Sequence, residues 1–389
     1  MICRTDVADG VLYEFCPDDP PRPADRFRAI VRWVAIDEIT RDAPEVEFTV
    51  TTPVLGLTPR VASSGHMGLV GNPGRLFPGL DTNTVPIAYS VAAPGYLRRD
   101  LQATLGPVVG FPNAFAALDR GELAMHRTAI ELRGRVGRVG GLSPTPLAGA
   151  TVRLAGVWST FPPFNVVPDT VIEAPNLVSL QPGLYADRVA TTDGLRRRAM
   201  VLAAGEEKTL VRPAVAGDRD VRISDRVNLN PGDLLAFETA LPDRVEYVTV
   251  FAVHSGATPD EPATVTLIYP LAMLHEQGTV CVRATPQAPA TNNPFNRDGV
   301  PAEQVAFLTA LSGVSDGDTV EVGGGAAPEY HTVHLYHTTS DANGFYRLPP
   351  ISRVASVKLH ADSGALPPQE PVTSPDYRQF QHFVDVIFP

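Results

Sequence analysis

The stretch Thr338-Thr339-Ser340-Asp341-Ala342-Asn343-Gly344-Phe345-Tyr346-Arg347-Leu348-Pro349-Pro350 carries the clearest structural signal in the chain. Asn343-Gly344 favours a tight β-hairpin turn, because both residue types tolerate the positive φ that such turns require. The Asp341 carboxylate can accept hydrogen bonds from backbone amides just ahead of it. Residues 330–338 are rich in Val, Thr, Tyr and His, and 345–348 form a second short strand that prolines end. The sequence therefore predicts a hairpin around Asp341.

Composition points to an all-β protein of two or three domains. The chain has 389 residues, of which 32 are Gly and 38 are Pro, and only 19% are charged. Such a composition favours many short strands joined by turns and disfavours long helices. The net charge of −11 argues against a nucleic-acid partner, since phosphate binding needs a basic surface.

The hairpin stretch resembles the central hairpin of the carboxypeptidase regulatory-like β-sandwich family, whose members carry a similar T-D-A-N-G-x-Y-x-L-P run. Residues 130–136 and 146–154 resemble the first two strands of the same family, but here they lie far upstream of the hairpin. The resemblance implies a prealbumin-like or Ig-like sandwich made of 128–160 plus 326–389. Its remaining strands are expected at 330–338, 345–348, 354–361 and 380–388, with residues 161–325 inserted.

Residues 26–127 resemble a more diverged first copy of this sandwich, so the predicted fold is a tandem pair. Its expected strands include 26–37, 45–51, 87–96 and 97–105, with a central hairpin at 71–78 and a short helix at 113–119. Residues 1–25 are rich in Asp and Pro and predict an arm with little core of its own.

The insertion has a strand pattern of its own. Residues 205–285 contain the order P-G-D-x-L, E-Y-V-T-V, T-V-T-L and H-x-x-G-T-x-V, which resembles a small β-module of bacterial surface and phage-tail-like proteins. Residues 301–311 (PAEQVAFLTAL) predict a helix, because Pro stands at the first helical position and an apolar face follows.

Two motifs raise the possibility of chemistry, and both fit structural roles better. Ser315 lies in a G-x-S-x-G motif, but a nucleophile elbow needs a strand before the serine and a helix after it. The expected order here is reversed, so a turn is the preferred interpretation. His331, His334 and His337 alternate along a predicted strand and cannot converge on one metal ion, so they are interpreted as exposed strand histidines.

The remaining polar motifs are also interpreted as structural. Asp341-x-Asn343-Gly344, Asp316 and Asp318 lack the other ligands of a calcium loop. The Gly134–Gly141 run opens no helix, and it is interpreted as a strand with a flexible turn, although its arginines could meet an acidic partner. Residues 196–198 (RRR) are interpreted as a solvated patch on a loop. No residue is assigned a catalytic, cofactor-binding or metal-binding role.

These features lead to a hypothesis about function. Three cysteines give no disulfide framework, and neither a secretory signal nor an apolar run that could span a bilayer is evident, which predicts assembly in the cytoplasm. Release as part of a particle stays open. The expected function is a non-enzymatic structural or adaptor component of a phage-tail-like particle, such as a contractile injection system, with other protein subunits as partners. The alternative is a module that binds cell-surface carbohydrates or proteins, and an enzyme ranks third.

Overall fold

The computed structural model describes residues 4–8, 11–15, 27–62, 64–77, 83–106, 117–141, 143–158, 171–173, 176–185, 194–241, 244–254, 258–289, 291–296, 299–323, 327–379 and 381–389. The described elements are 32 strands and one four-residue helix, which confirms the all-β prediction. The chain forms two compact units, residues 1–127 and 128–389.

The first unit begins with a hairpin and continues into two sheets. The hairpin consists of β1 (Arg4–Ala8) and β2 (Val11–Phe15). The sheets are built from β3 (Arg28–Asp37), β4 (Thr49–Thr51), β5 (Thr58–Val61), β6 (His66–Gly71), the helix α1 (Pro73–Leu76), β7 (Val85–Ala92), β8 (Arg99–Leu105) and β9 (Leu118–Met125). One sheet has the order β5-β6-β3-β9 and the other β4-β7-β8.

The two sheets of the first unit share one apolar core. Alternate residues of β3 and β7 point inward, as a half-buried strand requires, and Trp33 packs on Tyr89 with ring centroids 4.8 Å apart. Ile30, Leu69 and Ile87 are fully buried in the same core. Burial of such side chains contributes about 25 cal/mol per Å², which stabilises this core.

The second unit contains three successive groups of strands. The first group is β10 (Glu131–Arg138), β11 (Thr145–Pro146), β12 (Thr151–Trp158) and β13 (Val171–Glu173). The second is β14 (Leu177–Gln181), β15 (Leu195–Arg197), β16 (Met200–Leu202), β17 (Lys208–Thr209), β18 (Asp220–Ile223), β19 (Leu234–Phe237), β20 (Glu246–His254), β21 (Ala263–Leu267), β22 (Val280–Pro286), β23 (Asn292–Asn293), β24 (Val305–Phe307), β25 (Thr319–Val322) and β26 (Glu329–Leu335). The third is β27 (His337–Thr339), β28 (Phe345–Arg347), β29 (Ser356–Asp362), β30 (Val372–Thr373), β31 (Gln381–Phe383) and β32 (Val386–Phe388).

The first and third groups pair with each other as two sheets of a sandwich. Strand β10 lies between antiparallel β28 and parallel β31 and β32, and β12 pairs with β13, β27 and β29, with β30 beyond β29. The first unit repeats this arrangement, because β3 lies between antiparallel β6 and parallel β9 while β7 lies between β4 and β8. The two units therefore share their main strand order.

The hairpin predicted from Asn343-Gly344 is confirmed. The Asp341 Oδ1 atom accepts hydrogen bonds from the backbone N–H groups of Asn343 (2.8 Å) and Phe345 (2.9 Å). Gly344 has a φ of 75°, and a Cβ there would lie 2.3 Å from the carbonyl oxygen of Val136. Glycine is thus required both by the backbone conformation and by the close approach of β10.

The second group of strands, β14 to β26, forms a 13-stranded sheet. Its main path runs β16-β22-β19-β20-β26-β25-β15-β23, and β20 also continues into β21 and β18. Separate apolar clusters pack on it, one around Phe237 and Val250 and another around Val320 and Val333.

The structure moves the boundary between the insertion and the sandwich. Strand β26, expected in the sandwich, pairs instead with β14, β20 and β25 of the inserted sheet. Its first five residues are all buried, as befits a strand covered on both faces. The sandwich therefore resumes at His337 and not at residue 326.

Three local predictions for secondary structure are wrong. The helix expected at 301–311 is replaced by β24, which pairs with β14. Of the helix expected at 113–119, residues 118 and 119 belong to β9, residue 117 is in no helix, and 113–116 lie outside the described residues. The hairpin expected at 71–78 is not formed in its described residues, where α1 lies instead. Asn72 caps this helix, because its Oδ1 accepts a hydrogen bond from the Arg75 N–H.

Candidate functional site

Ser315 lies in a turn, as expected. Its backbone N–H donates to Asp318 Oδ2 over 2.8 Å, and β25 follows at Thr319. The described chain before it forms β24 and a turn, so no helix precedes the serine. The strand-serine-helix geometry of a nucleophile elbow is not formed there.

The three histidines of the 331–337 run lie in different environments. His331 is fully buried, with Nδ1 2.8 Å from the Pro182 carbonyl oxygen, so the expectation of an exposed side chain is wrong for it. His334 is half-buried and His337 is exposed on β27. Among the described residues, no group of His, Cys, Asp and Glu side chains is placed to hold a metal ion.

The 196–198 run lies mostly on β15 and is ion-paired, not a solvated loop. Arg198 Nε donates to Glu321 Oε2 over 2.7 Å, and Arg196 Nη1 lies 3.7 Å from Glu321 Oε1. Glu321 is almost fully buried. The run thus neutralises a buried carboxylate of the inserted sheet.

A buried polar network in the inserted sheet was not predicted from the sequence. Glu246 on β20 is fully buried and accepts hydrogen bonds from the Tyr185 hydroxyl and from the backbone N–H of Ala272 (2.7 Å). His275 Nε2 lies 3.0 Å from Glu246 Oε2, and its Nδ1 lies 3.2 Å from Glu238 Oε2. These contacts fix the 272–275 segment onto the sheet.

The same network reaches β26 through Tyr185. The Tyr185 backbone N–H donates to Glu329 Oε2 over 2.8 Å, and its ring stacks on Tyr269 with centroids 5.3 Å apart. Burial, together with the nearby Glu246 and Glu329 carboxylates, raises the pKa of the Tyr185 hydroxyl well above its usual value. The phenol therefore stays protonated and donates a hydrogen bond to the buried Glu246 carboxylate, which ties this segment to β20.

A second buried polar cluster lies at the end of β3 in the first unit. Asp37 Oδ2 accepts hydrogen bonds from the Tyr96 hydroxyl (2.5 Å) and from Arg127 Nε (2.7 Å). Burial alone would raise the pKa of Asp37, but the hydrogen bonds from Arg127, Tyr96 and the backbone outweigh it and lower the pKa. The neighbouring Glu38 pairs with His126 Nδ1 over 2.7 Å. Asp37 is therefore held as a carboxylate.

A buried ion pair joins the insertion to the sandwich within the second unit. Arg353 Nη1 lies 3.0 Å from Glu303 Oε2, and both residues are only 2% exposed. Glu303 also accepts hydrogen bonds from the Ser352 hydroxyl (3.2 Å) and the Val300 N–H (3.2 Å). This carboxylate occupies part of the segment that the sequence predicted as a helix.

The outward side of the sandwich sheet around β10 carries the candidate functional surface. Alternate residues of β10, β28, β31 and β32 point to solvent and form rows across the sheet, with the exposed Asp385 between β31 and β32. In one row Arg133 stands between Arg347 and Phe383, and in the next Arg135 stands beside Phe345. We call this surface the arginine–phenylalanine face; it comprises Arg133, Arg135, Phe345, Arg347, Phe383 and Ile387.

The arginine–phenylalanine face combines exposed phenylalanine rings with guanidinium groups that pack against them. Phe383 is 63% exposed and Phe345 is 42% exposed. The Arg135 guanidinium lies 4.2 Å from the Phe345 ring centroid, a cation–π distance. Arginine and aromatic side chains are the residues most enriched at the centres of protein interfaces. The run 134–141 is thus a strand over its first part, as interpreted, and the exposed Arg135 side chain on it lies over the Phe345 ring.

No family model matches the chain, and no curated protein matches it. Two crystal structures of BcpA, the major pilin subunit of Bacillus cereus, align with 93% of this chain and 99% of theirs, at 8% and 7% identity. Their TM-scores of 0.20 and 0.18 carry no argument about fold or function. Within the described residues, no helix is long and apolar enough to cross a bilayer.

Proposed function

We propose that the chain is a non-enzymatic structural subunit that works by docking to other protein subunits. The arginine–phenylalanine face supports this proposal most directly, because it exposes two phenylalanines and three arginines on one rigid sheet. Aromatic and arginine side chains are enriched on surfaces that contact other proteins. The buried acidic and histidine side chains described above also fit a structural role, since each is engaged in holding segments of the fold together.

Within this class we propose a component of a phage-tail-like particle of the contractile injection type, assembled in the cytoplasm. The support is the resemblance of residues 205–285 to β-modules of such particles. The strand order shared by the two units supports a relation to the carboxypeptidase regulatory-like sandwiches.

The test is to isolate the chain at its native level from the cells that make it. Gradient sedimentation of the extract, followed by cross-linking mass spectrometry, should place the chain in a large particle with cross-links to other subunits. A Phe383→Ser variant should shift toward the top of the gradient, while a Val372→Ser variant, which alters an equally exposed residue on another sheet, should not. Recovery of the wild-type chain only as a free monomer contradicts the proposal, and specific retention on a glycan array would favour the carbohydrate-binding alternative.

A further inference from the structure

His275 is a buried histidine with an acidic side chain at each of its two ring nitrogens. Its Nε2 lies 3.0 Å from Glu246 Oε2, and its Nδ1 lies 3.2 Å from Glu238 Oε2. The side chains of His275 and Glu246 are fully buried, and that of Glu238 is 16% exposed. We call these three side chains the Glu–His–Glu triad. Both ring nitrogens therefore have a carboxyl oxygen as their hydrogen-bond partner.

This geometry fixes the number of protons in the triad. A neutral imidazole has one donor nitrogen and one acceptor nitrogen, whereas an ionised carboxylate can only accept. Two hydrogen bonds therefore need a second proton, either on His275 or on one of the two carboxyl groups. Without it, a nitrogen lone pair would face a carboxylate oxygen in a buried site, where such a contact is costly. The triad thus holds two protons, while the same groups separated in water hold one at about pH 8.

Neighbouring donors are directed at the carboxyl groups of the triad. Arg244 Nε donates to Glu238 Oε2 over 2.6 Å, and the Tyr185 hydroxyl donates to Glu246 Oε1. The Phe237 ring stacks on the imidazole with centroids 5.2 Å apart and brings no charge. Both ring nitrogens of the histidine therefore still face acceptors.

The other titratable groups near the triad lie beyond Tyr185, on β26. Glu329 accepts a hydrogen bond from the Tyr185 N–H over 2.8 Å, and its Oε2 lies 3.4 Å from His331 Nε2. His331 Nδ1 lies 2.8 Å from the Pro182 carbonyl oxygen, and its Nε2 has no hydrogen-bond partner within the described residues. A proton on Nδ1 is therefore enough for the hydrogen bond of His331, whereas the triad needs its second proton.

The triad holds residues 272–275 against the inserted sheet. The Ala272 N–H donates to Glu246 Oε1 over 2.7 Å, and the His275 backbone exchanges two hydrogen bonds of 2.8 and 2.9 Å with Ala214. We propose that the Glu–His–Glu triad is a pH-sensitive clasp, which holds this segment while it keeps its second proton and releases the segment as the pH rises.

The direction of the pH effect follows from the proton count. Opening exposes the three groups to water, where they give up the second proton above the ordinary histidine pKa of about 6.5. The closed state then binds one proton more than the open state, so the equilibrium constant for opening should rise by up to about tenfold per pH unit. A buried carboxylate with a lowered pKa, such as Asp37, has the opposite effect, because its stabilisation is lost as the pH falls.

Nuclear magnetic resonance of the full-length chain, with isotope-labelled histidine and glutamate side chains, detects the second proton directly. At pH 8, His275 should carry a proton on both ring nitrogens, or one glutamate carboxyl group should be protonated. The His275 signals are assigned by their loss in a His275→Gln variant, and the exposed His254 provides a comparison in the same spectrum. A singly protonated His275 together with fully ionised glutamates overturns the inference.

Glu246→Gln is the matched variant, because it supplies a permanent donor in place of the second proton. The new amide N–H can donate to the unprotonated Nε2 of His275, so this hydrogen bond is kept with one proton fewer. The amide oxygen still accepts from Tyr185 and Ala272, and only the longer contact from the Met273 N–H, 3.3 Å in the wild type, is lost.

Hydrogen–deuterium exchange of peptides that cover residues 272–275 measures opening between pH 7 and 9, after correction for the pH dependence of the chemical exchange rate. The opening constant of the wild type should rise about tenfold per pH unit, and that of Glu246→Gln should stay nearly constant. Glu370→Gln, which alters an exposed acid paired with His360, should keep the wild-type slope. A wild-type opening constant that does not change with pH, or a wild-type slope in Glu246→Gln, overturns the inference. If Glu246→Gln does not fold, the wild-type spectrum and slope decide.

Discussion

Replacing Arg353 with methionine removes half of the buried ion pair that joins the insertion to the sandwich. The methionine fills much of the same volume but leaves the Glu303 carboxylate without its guanidinium partner. Removal of one member of a buried pair costs about 3–5 kcal/mol, because the remaining charge stays buried. Glu303 keeps hydrogen bonds from Ser352 and Val300, so we expect a loss near the lower end, about 3 kcal/mol.

The double variant separates this charge effect from packing. Glu303→Met with Arg353→Met removes both charges, and replacement of a buried pair by apolar side chains is often close to neutral. We therefore expect the double variant to be more stable than Arg353→Met alone, by about 1–3 kcal/mol. Arg378→Met is the matched control, because Arg378 pairs with Asp376 at 2.8 Å but is 84% exposed, and its loss should cost less than about 1 kcal/mol.

Urea unfolding followed by tryptophan fluorescence measures these differences. The chain has two tryptophans, and Trp158 on β12 reports on the second unit, while Trp33 reports on the first. A Trp33→Phe background isolates the second signal. The reasoning is refuted if Arg353→Met costs no more than Arg378→Met, or if the double variant is as unstable as the sum of its two single changes.

Three further predictions concern other parts of the fold. Gly344→Ala should lower the unfolding free energy of the second unit by at least about 2 kcal/mol, because a Cβ there would lie 2.3 Å from the Val136 carbonyl oxygen. Gly149→Ala is the control: Gly149 has the same φ of 75° but open space around it, so the change should cost only about 1–2 kcal/mol. Thermal unfolding measures both. The pKa of Asp37 is lowered in the folded chain, so its stabilising effect is present above the unfolded pKa of 3.8 and is lost as the pH falls through the folded pKa. Asp37→Asn should therefore flatten the pH dependence of first-unit stability below about pH 5. An unchanged slope would contradict this. Burial raises the pKa of the Cys281 thiol to about 12, so in a variant whose other two cysteines are serine, a thiol reagent at pH 8 should label it only in denaturant; rapid native labelling would contradict the expected protection.

The sequence signals that predicted structure correctly were local ones with a specific backbone requirement. Asn343-Gly344 needs positive φ, and Asp341 can reach the amides of its own turn, so the hairpin followed from chemistry within a few residues. The all-β fold likewise followed from composition. The sequence also predicted that β10 and β12 share a domain with the distant β28, because the sequence of each of these strands resembles that of one sandwich family.

Failures occurred where distant residues decide the local conformation. Residues 301–311 have a helix-like start, but the Glu303 carboxylate is held by Arg353, and Val305 to Phe307 are all buried in a strand. A short apolar run cannot be assigned to helix or strand by periodicity alone. The assignment of β26 failed for a similar reason, since its sheet is selected by pairing with β14 and β25 and not by its own composition.

The sequence predicted only the arginine part of the candidate surface. The arginines of the 134–141 run were noted as possible contacts for an acidic partner, yet nothing in the sequence showed that Phe383 would stand beside Arg133. That neighbourhood arises from the parallel pairing of β10 with β31, whose residues are 250 positions apart. The buried network around Glu246 was missed entirely, because its members come from five separate segments, at residues 185, 238, 246, 269–275 and 329.

The interruption of the second sandwich sets an order of events during synthesis. Strands β10 and β12 leave the ribosome early, but their partners β27, β28 and β31 emerge only after the whole inserted sheet has been made. The insertion can complete its own pairings first, since domains fold as units while the chain grows. A nascent chain stopped before residue 337 would carry two unpaired strand edges, which are the kind of surface that chaperones bind and that aggregates form on.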